Sequence, residues 1–427
     1  MDEVTAAERP KATRAQLGSV ALGNALEFYD FLIFSFFAIQ IGETFFPSSN
    51  PVNSLLAALA TFGAGFLTRP LGAWAIGRYG DRAGRKPAML LSFALIGVSS
   101  LFVALVPSYA SIGIAAPIMV IIGRLVQGFA LGGEVGPSSA FLAEAAPPDK
   151  RGRYISLQMV GQGAAMLASG IVGVSLAAIM TDAELTAYGW RIALALGVLI
   201  VPVGLVLRRS LEETLPPPPT ADEAPPSGYA RVVVLGFLIM LSATVGTYVL
   251  GYLTTYAQVE LGLPPGISLG ATVAGGAAYL GGAVIGGWAS DRWGRRPVMI
   301  YPMALGTALV MPGFWLLTAM PTEATLLSVA FGLRLILILA VTAGFVAIAE
   351  GLPVRVRSGT LSLVYAIAIS VFGGTTQFTI AWLTDATGNP VAPGWYLLGA
   401  SLIGLVAMTM MRESHPRRIA PVTLTPA

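Results

Sequence analysis

Two stretches decide how this chain is read: Gly77-Arg78-Tyr79-Gly80-Asp81-Arg82-Ala83-Gly84-Arg85-Lys86-Pro87 and Gly287-Trp288-Ala289-Ser290-Asp291-Arg292-Trp293-Gly294-Arg295-Arg296-Pro297. They share Gly, Asp-Arg, Gly, two basic residues and Pro in one spacing, 210 positions apart (287 minus 77). A second pair recurs at nearly the same interval. Glu144-Ala145-Ala146-Pro147 is followed by Arg151, and Glu350-Gly351-Leu352-Pro353 by Arg357, 206 apart (350 minus 144). Two independent motifs repeating in one order at nearly one interval mark an internal duplication.

Composition says what solvent the halves meet. Of 427 residues, 55% are apolar and 11% charged, with a mean hydropathy of +0.75. A soluble domain carries about 25% charge, so this chain is built to face lipid. Its 50 glycines and 29 prolines then mean close helix contacts and locally opened backbone. The absence of cysteine excludes disulfides, thiolate metal sites and thiol nucleophiles. The one histidine, His415, lies in the C-terminal tail, so metal and nucleophilic chemistry lack residues in the body. An intramembrane hydrolase would draw on Ser138-Ser139, but no span offers a histidine base. We expect no enzyme activity, no metal and no organic cofactor. The net charge of +3 points to no nucleic-acid partner, and the polar N-terminal stretch to Gln16 has no leader-like apolar core.

A span needs about 20 mostly apolar residues. The sequence predicts helices at 17–41, 53–78, 87–106, 112–145, 154–180, 190–208, 230–257, 266–290, 297–319, 324–350, 359–384 and 394–412. The expected fold is an all-α integral membrane protein of twelve helices in two pseudo-symmetric six-helix bundles, 17–208 and 230–412. The rest comprises a tail at 1–16, a proline-rich linker at 209–229 and a tail at 413–427. With both termini in the cytoplasm, every Lys and Arg of the 25 except Arg69, Arg124, Arg191 and Arg334 falls in a cytoplasmic segment. The opposite loops hold Glu43, Asp182, Glu184, Glu260, Glu323 and Asp385, as the positive-inside rule requires. Arg191 beside Trp190 reads as an interfacial anchor.

These motifs resemble the major facilitator superfamily, whose signature is the Gly-x-x-x-Asp-Arg-x-Gly-Arg-basic turn after the second helix. Within it the chain is similar to metabolite–proton symporters, nearest the bacterial citrate and tricarboxylate carriers. The segments carrying this are Gly23-Asn24 with Glu27 and Asp30-Phe31, Phe66 to Gly72 around Arg69-Pro70, Gly123-Arg124 with Gln127-Gly128-Phe129, Gly132-Gly133-Glu134, Gly189-Trp190-Arg191-Ile192 and Phe372-Gly373-Gly374. Ala193 stands where that family carries proline, and Arg334 is a charge not expected in the citrate carriers. The resemblance implies a secondary transporter of a bacterial inner membrane, working by alternating access around a site between the halves. It takes up a small organic anion, citrate or a related tricarboxylate, with a proton. A dicarboxylate of the 2-oxoglutarate type is the runner-up; an osmolyte symporter or a drug exporter ranks lower. The chain is expected to act as a monomer in lipid. The coupling ion is the proton, with sodium left open.

Charges inside the spans locate the expected site. A charge at mid-membrane costs roughly 2.5–3.5 kcal/mol, so Arg69, Arg124 and Arg334 together cost on the order of 8–10 kcal/mol unless paired or hydrated. Glu27, Asp30 and Glu134 fall at similar depth in the first half, which assigns them to proton coupling. Glu27 and Asp30, three apart, share a helix face and repel, which favours protonating one of them. The expected pairs are Arg124 with Asp30 or Glu27, and Arg69 with the remaining acid. Measured back from Glu144 and Glu350, Arg124 and Arg334 sit 20 and 16 residues upstream, so they occupy equivalent helices about one turn apart. Arg124, Arg334, Arg69, Gln127, Gln158, Gln162 and Tyr365 are the candidate substrate ligands. Tyr248 and Tyr252 form one stripe, and Gln377 lies near Tyr365. The cytoplasmic gate is assigned to Asp81, Arg82, Arg85, Glu144 and Arg151, with Asp291, Arg292, Arg295, Glu350 and Arg357. Arg85 is expected to reach Glu144, and Arg295 or Arg296 to reach Glu350.

Overall fold

A backbone surrounded by lipid must satisfy its N–H and C=O groups within its own segment, and this chain does so with helices alone among its described residues. The computed structural model describes residues 13–83, 85–132, 135–198 and 229–415. Of the expected linker at 209–229, residues 209–228 lie outside the described residues, as do the tails before 13 and after 415.

The first half runs α1 (Arg14–Phe36), α2 (Ala38–Phe45), α3 (Pro51–Leu67), α4 (Arg69–Ala83), α5 (Arg85–Leu105), α6 (Tyr109–Ile112), α7 (Ala115–Leu131), α8 (Val135–Ala145), α9 (Arg151–Ile179), α10 (Asp182–Glu184) and α11 (190–198), with a π-helical turn at Leu185–Gly189 before α11. The second half runs α12 (Tyr229–Val259), α13 (Pro265–Trp293), α14 (Arg295–Ala319), α15 (Glu323–Gly351), α16 (Val354–Ala368), α17 (Gly374–Thr387) and α18 (Ala392–Met410), with a π-helical turn at Ile369–Gly373. Among the described residues, eight helices are long and apolar enough to cross a membrane, and the bent pair α1–α2 makes a ninth. The shorter apolar helices within α5 and α7 occupy the third and fourth expected positions; of the sixth, at 190–208, only α11 belongs to the described residues. Leu67, Val98, Leu105, Ile179 and Tyr301 lie exposed on the outside, as a lipid-facing surface requires.

Several spans read as continuous are broken. The first bends by 65° at Phe37. The second breaks at Thr68, ahead of Pro70, because proline lacks the N–H that would continue the ladder. In the fourth, α7 ends at Leu131 with Gly132 in a turn, and the eleventh carries the π turn. Each break falls beside a predicted site residue or a lining residue of the central cavity. That is where non-helical backbone at membrane depth is tolerated.

Glycines set how closely the helices approach. A Cβ on Gly128 of α7 would collide with the Gly65 carbonyl of α3, one on Gly72 with the Phe129 carbonyl, and one on Gly132 with the Arg69 carbonyl. This backbone-to-backbone crossing brings Arg69 and Arg124 into one neighbourhood. The halves meet in the same way along α9 and α13, where a Cβ on Gly276 would stand 2.5 Å from Leu167 N and one on Gly163 2.6 Å from Leu280 N. In an exposed helix, Gly→Ala stabilises by roughly 0.5–1 kcal/mol. Gly399 of α18 is exposed with open space around it, so Gly399→Ala should hold or raise the melting temperature of the detergent-solubilised protein. Gly128→Ala should lower it by several degrees, because backbone has to move.

Candidate functional site

Arg124 of α7 is 1% exposed and held by rings rather than by a carboxylate. Its guanidinium carbon lies 4.8 Å from the Phe31 centroid, 4.5 Å from Phe34 and 5.3 Å from Phe62. Each such contact supplies about 0.5–2 kcal/mol without neutralising the charge. Its Nη1 donates to Gln127 Oε1 at 2.6 Å. Gln127 Nε2 then donates to Asp30 Oδ2 at 2.8 Å and to Ser100 Oγ at 2.9 Å. The expected direct pair of Arg124 with Asp30 is therefore not formed: the amide of Gln127 stands between them. Arg124 Nε and Nη2 and Asp30 Oδ1 have no partner. Arg69 sits over Phe31 and Phe66, 4.8 and 4.4 Å from their centroids, and its Nε is also unpartnered.

Arg334 of α15 occupies the second half, 1% exposed. Its Nη1 donates to Thr247 O at 3.1 Å, and its Nε has no partner. It lines a buried cavity of about 30 Å³ between the halves, shared with Ser35 and Gln162 from the first half and Tyr248, Tyr279 and Gln377 from the second. That volume admits a water or two and no organic anion. Polar bonds cross it: Tyr279 OH donates to Gln162 Oε1 at 2.9 Å, Gln162 Nε2 to Tyr365 OH at 3.4 Å, and Ser35 Oγ to Gln377 Oε1 at 2.9 Å. Between Arg124 and this cavity stand Phe62, Phe66 and Tyr248, with Phe62–Tyr248 and Phe66–Tyr248 centroids 6.0 and 5.6 Å apart.

The two ends of the molecule differ. At one end α9 begins with no side-chain cap of its own, and Asp291 of α13 supplies one from the other half. Its two oxygens accept Gly152 N at 2.7 Å and Arg153 N at 3.0 Å. A carboxylate on two helix-start N–H groups matches both hydrogen bonding and the helix dipole. Arg295 grips Glu350 with Nε at 3.0 Å and Nη2 at 2.9 Å, and its Nη1 holds Asp291 at 3.1 Å. Gly294 turns the chain there at φ +95°, a conformation glycine adopts freely. Glu413 accepts Arg295 N and Arg296 N at 2.9 and 3.0 Å, capping α14. Burial raises the Glu413 carboxyl, but those backbone N–H groups outweigh it and hold it below the usual carboxylate range. At the opposite end a cavity of about 800 Å³ opens among Gln40, Glu43, Thr44, Tyr109, Asp182 and Gln258. Beside it, burial and Asp385 push the Glu260 carboxyl above its ordinary value.

The model of the Major Facilitator Superfamily matches residues 20–374. The chain belongs to that superfamily. A citrate–proton symporter of Salmonella typhi is 35% identical to it over 419 residues, covering 96% of each chain. Another from Klebsiella pneumoniae is 36% identical over 416 residues, 94% of each. An alpha-ketoglutarate permease of Escherichia coli K12 is 34% identical over 413 residues, 93% of each. Among solved structures, the proton:xylose symporter XylE bound to a bromodeoxyglucose superposes with a TM-score of 0.76 at 18% identity, covering 93% of this chain and 96% of its own. A partially occluded inward-open form of XylE from E. coli gives 0.73 at 18%, covering 94% and 98%. These two share the fold.

In this major facilitator chain the predicted ligands separate into two layers. Arg334 and Gln162 line the buried cavity, and Tyr365 touches it through Gln162. Arg124, Arg69 and Gln127 lie behind the aromatic layer. Gln158 faces Ser138, whose Oγ is 3.4 Å from its Oε1, and its Nε2 is unpartnered. A single cavity shared by Arg124 and Arg334 is thus not open in this conformation, because Phe62, Phe66 and Tyr248 fill the gap. Ser35 and Tyr279 carry no signal in the sequence, and Phe31 and Phe66 stand in the motif segments without any mark of a cage. The cage was legible only as apolar periodicity, which core packing produces equally well.

Of the residues assigned to the gate from the sequence, Arg295 and Glu350 are in contact, but both belong to the second half, so that pair does not itself cross the seam. Asp291 crosses it, and Arg151 Nη1 stands 4.0 Å from Glu350 Oε1 across it. Arg292 is exposed, and Arg357 is buried with Nη2 on Leu352 O at 3.1 Å. The side chains of Glu27, Asp81, Arg82, Arg85 and Glu144, and the whole of Glu134, lie outside the described residues. Arg191 does more than anchor at the interface: its Nη1 binds the carbonyls of Ala104 and Val106 at 2.6 and 2.7 Å, closing the end of α5.

Charge-assisted bonds are worth about 1.5–3 kcal/mol each. Asp291→Ala should therefore open the latch end at least tenfold more often. Ser156, packed against Gly287 at that seam, reports it: with no native cysteine, a Ser156→Cys variant should react correspondingly faster with a water-soluble thiol reagent when Asp291→Ala is added.

Proposed function

We propose that this carrier is a proton-coupled symporter that takes up citrate or a related tricarboxylate across a bacterial inner membrane by alternating access. One observation carries the reading. Three arginines at membrane depth keep N–H groups unpartnered: Nε of Arg69, Nε and Nη2 of Arg124, and Nε of Arg334. A buried donor without a partner costs about 1–3 kcal/mol, more when charged, so the arrangement makes sense as a site awaiting an anion. Several carboxylates on one molecule suit cations distributed over both halves. The names of the relatives agree.

Asp30, Gln127 and Arg124 supply the coupling. While Asp30 is ionised, its charge and the Gln127 amide hold Arg124 in the first half. A proton on Asp30 removes that attraction and frees Arg124 for a substrate carboxylate. Arg69, Gln158, Gln162 and Tyr365 complete the ligand set as the aromatic layer parts, while Glu27 and Glu134 belong to the same proton pathway. The latch end, where Arg151, Arg153, Arg292, Arg295 and Arg296 gather, faces the cytoplasm with both termini, and the acidic vestibule faces outward. The inner gate is then closed, and the central cavity is shut off from the outward vestibule as well. The carrier works as a monomer, with bundles 17–208 and 230–412 as the moving bodies. A dicarboxylate substrate is the second reading, favoured by the 34% identical alpha-ketoglutarate permease.

Proteoliposomes with an inward proton gradient should accumulate labelled citrate, and collapsing the pH gradient should stop it. Accumulation that survives that collapse but needs sodium would give the coupling to sodium. Arg124→Ala and Arg334→Ala should each weaken citrate binding at least tenfold, or about 1.4 kcal/mol, by calorimetry on monodisperse protein. Lysine should rescue only partly, because it lacks the planar fork. Unchanged binding by Arg334→Ala would make that arginine structural.

A further inference from the structure

We propose that Ser35 and Gln377 form the outer gate of the empty carrier, a hydrogen bond that shuts the central cavity toward the vestibule and is given up when a carboxylate occupies Arg334. The second clause rests on the transport reading above; the gate itself does not.

Ser35 Oγ donates to Gln377 Oε1 at 2.9 Å, with the two residues 4% and 2% exposed. The bond joins α1 of one half to α17 of the other. Both partners stand beside helix irregularities. Ser35 lies two residues before the bend at Phe37, beyond which Gln40 already lines the vestibule. Gln377 lies four residues past the end of the π turn at Ile369–Gly373. Such breaks are where a helix yields, so the bond ties together two segments able to move. Both residues line the small cavity that holds Arg334, and five residues on from Ser35 the chain reaches Gln40 in the vestibule wall.

The link to Arg334 is geometric. A Cβ built on Gly251 would lie 3.7 Å from Gln377 Nε2 and 3.9 Å from Arg334 Nη2, so the amide and the guanidinium flank one glycine. The amide's remaining hold is weak, with Gln377 Nε2 3.4 Å from Tyr248 O. A carboxylate arriving at Arg334 offers Gln377 Nε2 a charged acceptor, roughly twice as strong as the neutral Tyr248 carbonyl it holds now, and turning the amide toward that carboxylate draws Oε1 away from the Ser35 hydroxyl. The exchange therefore favours the substrate, which then bridges the halves in place of the bond.

Two opposite consequences follow for Ser35→Ala. The substrate no longer competes with the clasp, so citrate should bind about threefold tighter or more. Release to the inside leaves an outer gate with neither substrate nor clasp, so net uptake should slow by a similar factor. A merely structural role would weaken both. Ser35→Thr keeps the hydroxyl and should restore parental behaviour. A substrate-free readout is available because the chain has no cysteine: spin labels at Ala183→Cys and Gln258→Cys, on opposite rims of the vestibule, report its width. In the empty protein Ser35→Ala, or Gln377→Leu should the first not fold, should shift these distances to the open population, and citrate should shift them back. An unchanged rim distribution, or citrate binding weakened by Ser35→Ala, overturns the gate. If the rim opens while the parent protein binds no carboxylate, the gate stands and the citrate reading falls.

Discussion

A guanidinium held away from water must be satisfied by something, and lipid offers nothing. The inner structure of this carrier depends on how that demand is met for Arg69, Arg124 and Arg334. The phenylalanines around Arg69 and Arg124 attract the charge through their faces but accept no conventional hydrogen bond. The charges are thus made tolerable while part of their donor capacity remains. An acid in the place of Gln127 would neutralise Arg124 and close the site permanently. The amide instead relays contact from Arg124 to Asp30 at 2.6 and 2.8 Å, so the guanidinium and the carboxylate do not meet directly.

The glycine crossings serve the same end. Arg124 and Arg69 are near one another only because α7 meets α3 and α4 at backbone distance, through Gly65, Gly72, Gly128 and Gly132. A larger residue at the crossing separates the arginines along with the helices. Close packing between α9 and α13 likewise lets the halves slide or rock as rigid bodies, since a surface of backbone and small residues has few side chains to unlock.

The two ends are closed by different chemistry. Asp291 caps a helix of the opposite half, so its full charge meets fixed backbone donors, and Arg295 and Glu350 hold it in place. Toward the vestibule the halves are joined by neutral groups, among them the hydrogen bond from Ser35 to Gln377. A charged latch at one end and a weak neutral one at the other place the easier opening toward the vestibule.

Much of this was legible in the chain alone. The duplicated Asp-Arg-x-Gly-Arg turns, the twelve apolar runs and the distribution of Lys and Arg determined a two-half helical membrane protein, because hydropathy and repeat spacing are local properties. The three buried arginines were also legible, since a charge within an apolar run is conspicuous. Their partners were not. Sequence spacing cannot separate a direct Arg124–Asp30 pair from one relayed by Gln127, a difference of one side-chain length. Nor can it show that Phe31, Phe34, Phe62 and Phe66 form a cage, because any buried helix face repeats apolar residues in that rhythm. Arg295 and Glu350 could be matched by register, but that Asp291 caps α9 across the seam was set by how the halves dock. The tertiary structure alone decided which groups go unsatisfied, because that depends on distances of a few ångströms between helices remote in sequence.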